Sequence, residues 1–424
     1  MTAVIGILNK NGMAMAADSA VTVTGGNSKK IYNTANKIFT LSKHHPVGIM
    51  IYSSSSFMTT PWEIIIKLYR KSLLHNSFDT VEEYKDDFID FLKKNAYFTN
   101  SETQLKNLKN FGFWNLSNLK DRVAENLSDG KSEPELAEEF KNLTLADLQA
   151  TLQTYKEGDD ILPTFSDYTL ENFKNYSNES VREVIEVVFE GIELNDEIIE
   201  AIFQLYWNYF RSLNFIGQET GLVFGGLGEK EIYPSMKSIR ISEVLDDRLR
   251  VKDDLEGKIS DNNNGAILPF AQTDVINMFI KGIDPEIENT YISVFEKFLL
   301  KYNTTLYELI LPENQDLADK IKNVDINEIL SEFANELNSI KREKQIIPTV
   351  DTVSILSKED LAEMAESLIY LTYLKRRISS SEESVGGPID VAIIRKGDGF
   401  IWKKRKHYFS EELNKQFRAN YFIK

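Results

Sequence analysis

The first 17 residues have the pattern of a buried β-hairpin, and this feature constrains the fold most strongly. Residues 2–8 and 13–17 are apolar at almost every position, and the Asn and Gly of 9–12 suit a tight turn between them. A short strand that is apolar on both sides has to be covered on both faces of its sheet. The sequence therefore predicts a sheet lying between two other layers.

The rest of the chain alternates between strand-like and helical stretches. Strand patterns continue to residue 52, and a helix is expected from about 57 to 74. From about 75 to 215 the sequence is helical and polar, strand patterns return at 221–226 and 231–241, and helices follow at about 271–281 and 286–302. We expect two halves of one α+β core, 1–75 and 216–424, separated by a helical insertion at 76–215. A second helical extension is expected at about 304–350.

Composition excludes several classes of function. The net charge of −16 over 424 residues disfavours nucleic-acid binding, which needs a concentrated basic face. The absence of cysteine removes disulfides and thiolate metal sites and fits a reducing cytosol, and the four histidines lack metal-ligand spacing. No stretch approaches the roughly 20 apolar residues of a membrane span, and no signal peptide is visible. We expect a cytoplasmic protein without metal or cofactor, in which the basic run Lys403–Lys406 is a solvated edge or an anionic contact.

Thr2 is a candidate nucleophile because it directly follows Met1. Removal of Met1 would leave a free α-amine beside the Thr2 hydroxyl. The reference pKa of an α-amine is about 7.7–8.0, so this group can act as the general base for its own side chain. A Met-Thr start is common, however, and on its own it gives little support to a catalytic role.

Further motifs follow Thr2 in a definite order. Gly-Met-Ala-Met-Ala-Ala-Asp-Ser ends with Asp18 and Ser19, and Lys37 opens a Lys-Ile pair. Far downstream, Gly-Gly-Pro-Ile-Asp-Val begins at Gly386 and is followed by Lys-Gly-Asp-Gly. This series resembles the N-terminal nucleophile (Ntn) hydrolases of the proteasome β-subunit type, including bacterial proteasome-like threonine peptidases. The resemblance covers 1–75 and, discontinuously, about 216–285 and 357–405, and it implies a four-layer αββα sandwich with large helical insertions.

The resemblance assigns roles to three residues. Thr2 would be the nucleophile, Lys37 the ammonium that keeps the α-amine neutral, and Asp18 the carboxylate that holds Lys37 charged and oriented. Without the motif context, Lys37 would be read as a surface lysine at a strand edge, and Asp18 as a turn residue that caps the hairpin.

Other site residues follow less directly from the resemblance. The backbone of Ser53 or Ser54 would supply the oxyanion donor, although the glycine usual in the family is missing there. Glu382 and Ser384, in the loop before Gly386, would lie near the Thr2 amine, and Gln272 or Thr273 would replace a Gly-Ser-Gly motif. Ordinary polar loop residues are an equally good explanation for these four.

The function implied is cleavage of amide bonds, with a peptide or protein as substrate. The helical insertion could be a lid over the site or a docking surface for an ATPase or another partner, and relatives assemble into rings, so a homo-oligomer is open as well. Two alternatives remain: a catalytically silent structural or interaction subunit, and a small-molecule amidase.

Overall fold

The computed structural model describes residues 2–25, 28–95, 99–128, 130–155, 160–215, 217–378, 385–407, 409–410 and 412–416. Its strands are β1 (Val4–Asn9), β2 (Gly12–Ala17), β3 (Val21–Gly25), β4 (Ser28–Tyr32), β5 (Ile38–Thr40), β6 (Val47–Ser53), β7 (Ser56–Phe57), β8 (Thr60–Pro61), β9 (Thr220–Gly226), β10 (Ser235–Leu245), β11 (Arg248–Lys258), β12 (Gly265–Phe270), β13 (Asp390–Arg395) and β14 (Gly399–Lys404).

The α-helices are α1 (Trp62–Leu73), α2 (Val81–Lys94), α3 (Ser101–Glu125), α4 (Glu133–Leu152), α5 (Leu170–Val188), α6 (Asp196–Arg211), α7 (Asp274–Lys281), α8 (Pro285–Ile310), α9 (Gln315–Lys322), α10 (Ile326–Lys341), α11 (Ile347–Ile355) and α12 (Lys358–Ile378). The α+β class predicted from the sequence is confirmed. Among the described residues, no helix combines the length and apolarity needed to cross a membrane.

Two five-stranded antiparallel sheets form the centre of the molecule. The first has the order β12-β1-β2-β13-β14, and the second has the order β11-β10-β9-β6-β5. The predicted hairpin of β1 and β2 is present, and both strands are buried along their whole length. The N-terminal strand β1 is therefore an interior strand, the second of the five in the first sheet.

Three apolar clusters explain why these strands are covered on both faces. Val4, Met15 and Met50 belong to a cluster that contains side chains of both sheets. A second cluster joins the other face of the first sheet to α12, and a third joins the other face of the second sheet to α1 and α2. Side chains alternate along each strand, so successive residues of β1 enter different clusters.

Helices α3 to α6 have an apolar core of their own, built on side chains such as Leu116, Phe173 and Tyr206. Arg250 of β11 connects this helical region to the second sheet. Its buried guanidinium pairs with Glu243 and donates to the carbonyl oxygens of Tyr209 and Ser212, which lie at the end of α6.

Some element boundaries differ from the sequence prediction. The first helix starts at Trp62 because residues just before it form the small hairpin β7–β8, and Pro61 at its start lacks the N–H that a continuing helix would need. Helix α8 runs unbroken to Ile310 through Thr304 and Thr305, whose hydroxyls donate to backbone carbonyls one turn earlier. Strand β11 was not predicted, since exposed charged residues occupy much of its second half.

Candidate active site

Asp18 and Lys37 form a buried ion pair where strands of the two sheets begin or end. Asp18 directly follows β2, and Lys37 directly precedes β5. The Lys37 Nζ lies 2.6 Å from Asp18 Oδ1, and both side chains are almost completely excluded from solvent. Removing two charges from water is costly, so a pair of this kind needs further hydrogen bonds to hold it.

The backbone supplies those bonds to the Asp18 carboxylate. Oδ1 also accepts the Ala3 N–H at 2.9 Å, and Oδ2 accepts the N–H groups of Ala20 at 3.0 Å and Gly386 at 3.1 Å. Asp18 thus receives three backbone donors and one ammonium, which satisfies both of its oxygens.

This carboxylate brings the N-terminus and Lys37 together. The Ala3 N–H and the Lys37 ammonium share the oxygen Oδ1, and Thr2, the residue before Ala3, is buried. The structure therefore places the predicted Thr2, Asp18 and Lys37 around one point. Met1 lies outside the described residues.

Ser53 and Ser54 lie where β6 ends, on the side of Lys37. The Lys37 carbonyl accepts the Ile51 N–H at 2.9 Å, so β6 passes directly beside it. Ser53 has a left-handed backbone with φ of 68°, a conformation that is uncommon outside glycine. The Ser54 N–H donates to the Glu219 carbonyl at 3.0 Å, which makes Ser53 the better placed of the two candidate donors.

The Gly-Gly motif closes the site from the C-terminal side. Besides the Gly386 bond to Asp18, the Ser19 N–H donates to the Gly386 carbonyl at 3.0 Å. Gly387 has φ of 77°, and a Cβ there would lie 2.9 Å from the Asn33 carbonyl oxygen, so this position requires glycine. Glu382 and Ser384 lie outside the described residues.

Gln272 and Thr273 lie just past the end of β12. The register pairs Phe270 with Val4, so both residues follow β12 at the end of the sheet where Thr2 precedes β1. Ala271 and Gln272 both have positive φ values, 49° and 50°, without being glycine. Two successive left-handed residues are a strained arrangement, and this arrangement turns the chain at the Thr2 end of the sheet.

Sequence reasoning missed a second buried ion pair. Asp390, paired with Ala17 across β13 and β2, accepts both the backbone N–H and the ammonium of Lys406. The predicted solvated edge at Lys403–Lys406 therefore ends in a residue whose side chain is only 13% exposed. A charged residue such as Asp390 inside a buried strand signals a partner, but its identity cannot be read from local sequence.

The electrostatics of the site act on Lys37. Burial lowers the pKa of Lys37 below its usual value, and the positive charge of Lys406 lowers it further, although Asp18 partly offsets both effects. The Lys37 ammonium therefore gives up its proton more readily than the ammonium of a lysine in water, and groups with perturbed pKa values cluster at functional sites. Among the residues that the structure describes, no group of three or more His, Asp or Glu side chains is arranged to hold a metal ion.

This lowered pKa predicts a pH dependence of stability. Between the folded pKa of Lys37 and its ordinary value of 10.5, the unfolded chain binds more protons than the folded chain, so the contribution of Lys37 to stability rises with pH. We expect the unfolding free energy of the natural protein minus that of Lys37→Met to increase by up to about 1.4 kcal/mol per pH unit within this window. Urea titrations from pH 7.5 to 10 measure it, and a difference that stays constant or shrinks would contradict the prediction.

The geometry so far defines an α+β protein with two stacked sheets and a buried lysine–aspartate pair next to Thr2. The chain matches no protein-family model and no curated protein. It is similar in structure to Anbu from Yersinia bercovieri, described as an ancestral beta-subunit, with a TM-score of 0.30 and 11% identity over 99% of this chain and 94% of that one. An Anbu mutant from Hyphomicrobium sp. strain MC1 gives 0.30 and 10% over 100% and 98%, and Anbu from Pseudomonas aeruginosa, in a helical assembly, gives 0.27 and 9% over 99% and 93%.

These comparisons correct the family assignment made from the sequence. The matched structures are of Anbu, a proteasome-like but distinct family, so the prediction that this chain is of the proteasome β-subunit type is wrong. The physical reason is that the motifs used for it specify strand ends and tight turns around a site. Short motifs of this kind describe local backbone geometry, so they do not separate one family from another.

Proposed function

We propose that this chain is an N-terminal-threonine hydrolase that cleaves amide bonds, with peptides as its substrate class. The observation that carries the proposal is the shared Asp18 Oδ1, which binds the Lys37 ammonium and the N–H of the residue next to Thr2. This arrangement holds a positive charge beside the N-terminus, where the nucleophile and its base would both be found.

In the proposed reaction, the Thr2 hydroxyl attacks the substrate carbonyl and its proton passes to the Thr2 α-amine. The amine then gives a proton to the leaving nitrogen as the amide C–N bond breaks, which leaves an ester on Thr2. Water, deprotonated by the same amine, hydrolyses that ester and regenerates the hydroxyl. Removal of Met1 is required, since the base does not exist while the methionine is attached.

Lys37 and the end of β6 would support the charges of this reaction. The Lys37 ammonium disfavours a second positive charge on the α-amine and so keeps that amine neutral and able to accept a proton. It also stabilises the hydroxyl oxygen as negative charge develops on it. The Ser53 N–H is our candidate donor to the substrate oxyanion, because the Ser54 N–H is already used by Glu219.

We further propose that the two sheets and the helices packed on them form a four-layer αββα Ntn-hydrolase sandwich, into which the helical regions are inserted. The three apolar clusters support this, since one contains side chains of both sheets and the others join each sheet to helices. A helical region with its own core, as α3 to α6 has, fits an insertion that leaves the sandwich intact.

Intact-mass measurement with two covalent probes tests the function. A peptide epoxyketone reacts with both the hydroxyl and the amine of an N-terminal threonine, and a small β-lactone acylates the hydroxyl alone. We expect the purified protein to lack Met1 and to gain one epoxyketone adduct. The adduct should be absent from Thr2→Ala and kept by Thr2→Ser, which retains a hydroxyl.

The other outcomes separate the alternatives. An adduct with the β-lactone but not with the peptide probe would favour a small-molecule amidase. Met1 loss with neither adduct, together with no hydrolysis of a fluorogenic peptide library, would favour a catalytically silent subunit. Full retention of Met1 in the natural protein would rule out the proposed mechanism.

A further inference from the structure

Helix α8 carries an apolar face that covers nothing in the described structure. We call this face the outer stripe; its members are Ile287, Tyr291, Val294, Phe298, Tyr302, Thr305 and Leu309. The six members other than Thr305 are 50% to 67% exposed, and Thr305 is exposed as well. Surface apolar residues are normal when scattered, but a continuous patch of them marks an interaction site.

A different face of α8 attaches the helix to the rest of the protein. Ile292, Phe295 and Leu299 are half-buried, and the Phe295 ring lies 4.4 Å from the ring of Phe333 on α10. At 3.6 residues per turn, this inner face lies about 100° around the helix from the outer stripe. Within the described part of the chain, the stripe is therefore left over after α8 has made its contacts.

The spacing of the stripe keeps it straight along the helix. Ile287, Phe298 and Leu309 are 11 residues apart, and 11 residues make three turns of 3.67 residues each, close to the natural helical period. The stripe therefore drifts little around the helix over its length of about 33 Å. A second straight helix can contact it from end to end.

The spacing is also the same in both directions from Phe298. Successive members are separated by 4, 3, 4, 4, 3 and 4 residues. An antiparallel copy centred on Phe298 would place Ile287 opposite Leu309, Tyr291 opposite Thr305 and Val294 opposite Tyr302, with Phe298 opposite itself. An interface between two identical chains related by a two-fold axis needs this self-complementarity, and an interface with an unrelated partner does not.

We propose that the outer stripe of α8 pairs antiparallel with the same stripe of a second copy of this chain, around a two-fold axis at Phe298. Covering these side chains would remove roughly 600 Å² per copy, or roughly 1,200 Å² in total, the lower end of the range for specific interfaces. The pairing does not depend on the proposed function.

Charges beside the stripe provide a signature of this register. Lys297 and Lys301 both lie on one flank of the stripe, and the two-fold axis brings Lys297 within about 3 Å, measured along the helix axis, of Lys301 of the second copy. Like charges repel there, so added salt should strengthen the natural dimer. Lys297→Glu should strengthen it further, because each new carboxylate would face a lysine of the other copy.

Single cysteines test the register directly, because the natural chain contains none. Under mild oxidation, Phe298→Cys should give a covalent dimer, since the two cysteines meet at the axis. Ile287→Cys alone should stay monomeric on a denaturing gel, but it should cross-link when mixed with Leu309→Cys. Leu300→Cys is the matched control: Leu300 is 49% exposed but lies about 160° around the helix from Phe298.

Analytical ultracentrifugation tests the energetics of the full chain. We expect a dimer with a Kd of about 1–100 µM, weakened at least about 30-fold by Phe298→Ser, unchanged by Leu300→Ser and tightened about tenfold by Lys297→Glu. Circular dichroism confirms that each variant is folded. A natural protein that stays monomeric at 200 µM, a dimer insensitive to Phe298→Ser, weaker association in Lys297→Glu, or equal cross-linking by Leu300→Cys would each overturn the proposal.

Discussion

Asp18→Asn is expected to lower the free energy of unfolding by about 3–5 kcal/mol, because it leaves the Lys37 ammonium buried without a counter-charge. The Asp18 carboxylate accepts four donors, from Lys37, Ala3, Ala20 and Gly386. An asparagine offers one acceptor oxygen, and its NH2 group would face N–H donors. Urea unfolding followed by circular dichroism measures the loss.

A double-mutant cycle separates the ion pair from the rest of the site. Combining Asp18→Asn with Lys37→Met should cost less than the sum of the two single changes, since the double variant no longer buries an unpaired charge. The matched control is Glu63→Gln, which removes one partner of the exposed Glu63–Lys67 pair and should cost no more than about 0.5 kcal/mol. A cost below about 1 kcal/mol for Asp18→Asn would contradict the tightly bonded pair.

Arg250→Met is expected to lower the free energy of unfolding by a similar amount, about 3–5 kcal/mol. Methionine keeps much of the side-chain volume, but the Glu243 carboxylate loses its partner and the carbonyls of Tyr209 and Ser212 lose a donor. The guanidinium also lies 4.7 Å from the ring centres of Tyr209 and Phe215, and those contacts are lost as well. Because Arg250 connects β11 to the end of α6, limited proteolysis should cleave the helical region faster in the variant.

Two further variants make this result specific. Glu243→Leu added to Arg250→Met should recover part of the lost stability, since replacing both partners of a largely buried pair by apolar groups is far less costly than removing one partner. Arg122→Met, which breaks the more exposed Arg122–Asp147 pair within the same helical region, should change stability by no more than about 1 kcal/mol. Equal effects of Arg250→Met and Arg122→Met would contradict the connecting role of Arg250.

Local pattern was sufficient to predict part of this protein. The buried hairpin of β1 and β2 follows from continuous apolarity around a turn, and the structure contains it. Thr2, Asp18 and Lys37 could be selected because each lies at a strand end within a short motif, and the structure places them together. The family assignment was wrong because such motifs describe the surroundings of a site rather than a lineage.

The remaining features depend on contacts between distant parts of the chain. Sequence alone determined which strands must be buried and which side chains could do chemistry at their ends. Tertiary structure decided that Gly386, 368 residues from Asp18, donates its N–H to that carboxylate. It also decided that Lys406 pairs with Asp390 and that the Ser54 N–H donates to the Glu219 carbonyl. The physical reason is that hydrophobic pattern and backbone propensity are properties of a few neighbouring residues. Hydrogen-bond partners are instead chosen by whichever groups the packed sheets bring within about 3 Å.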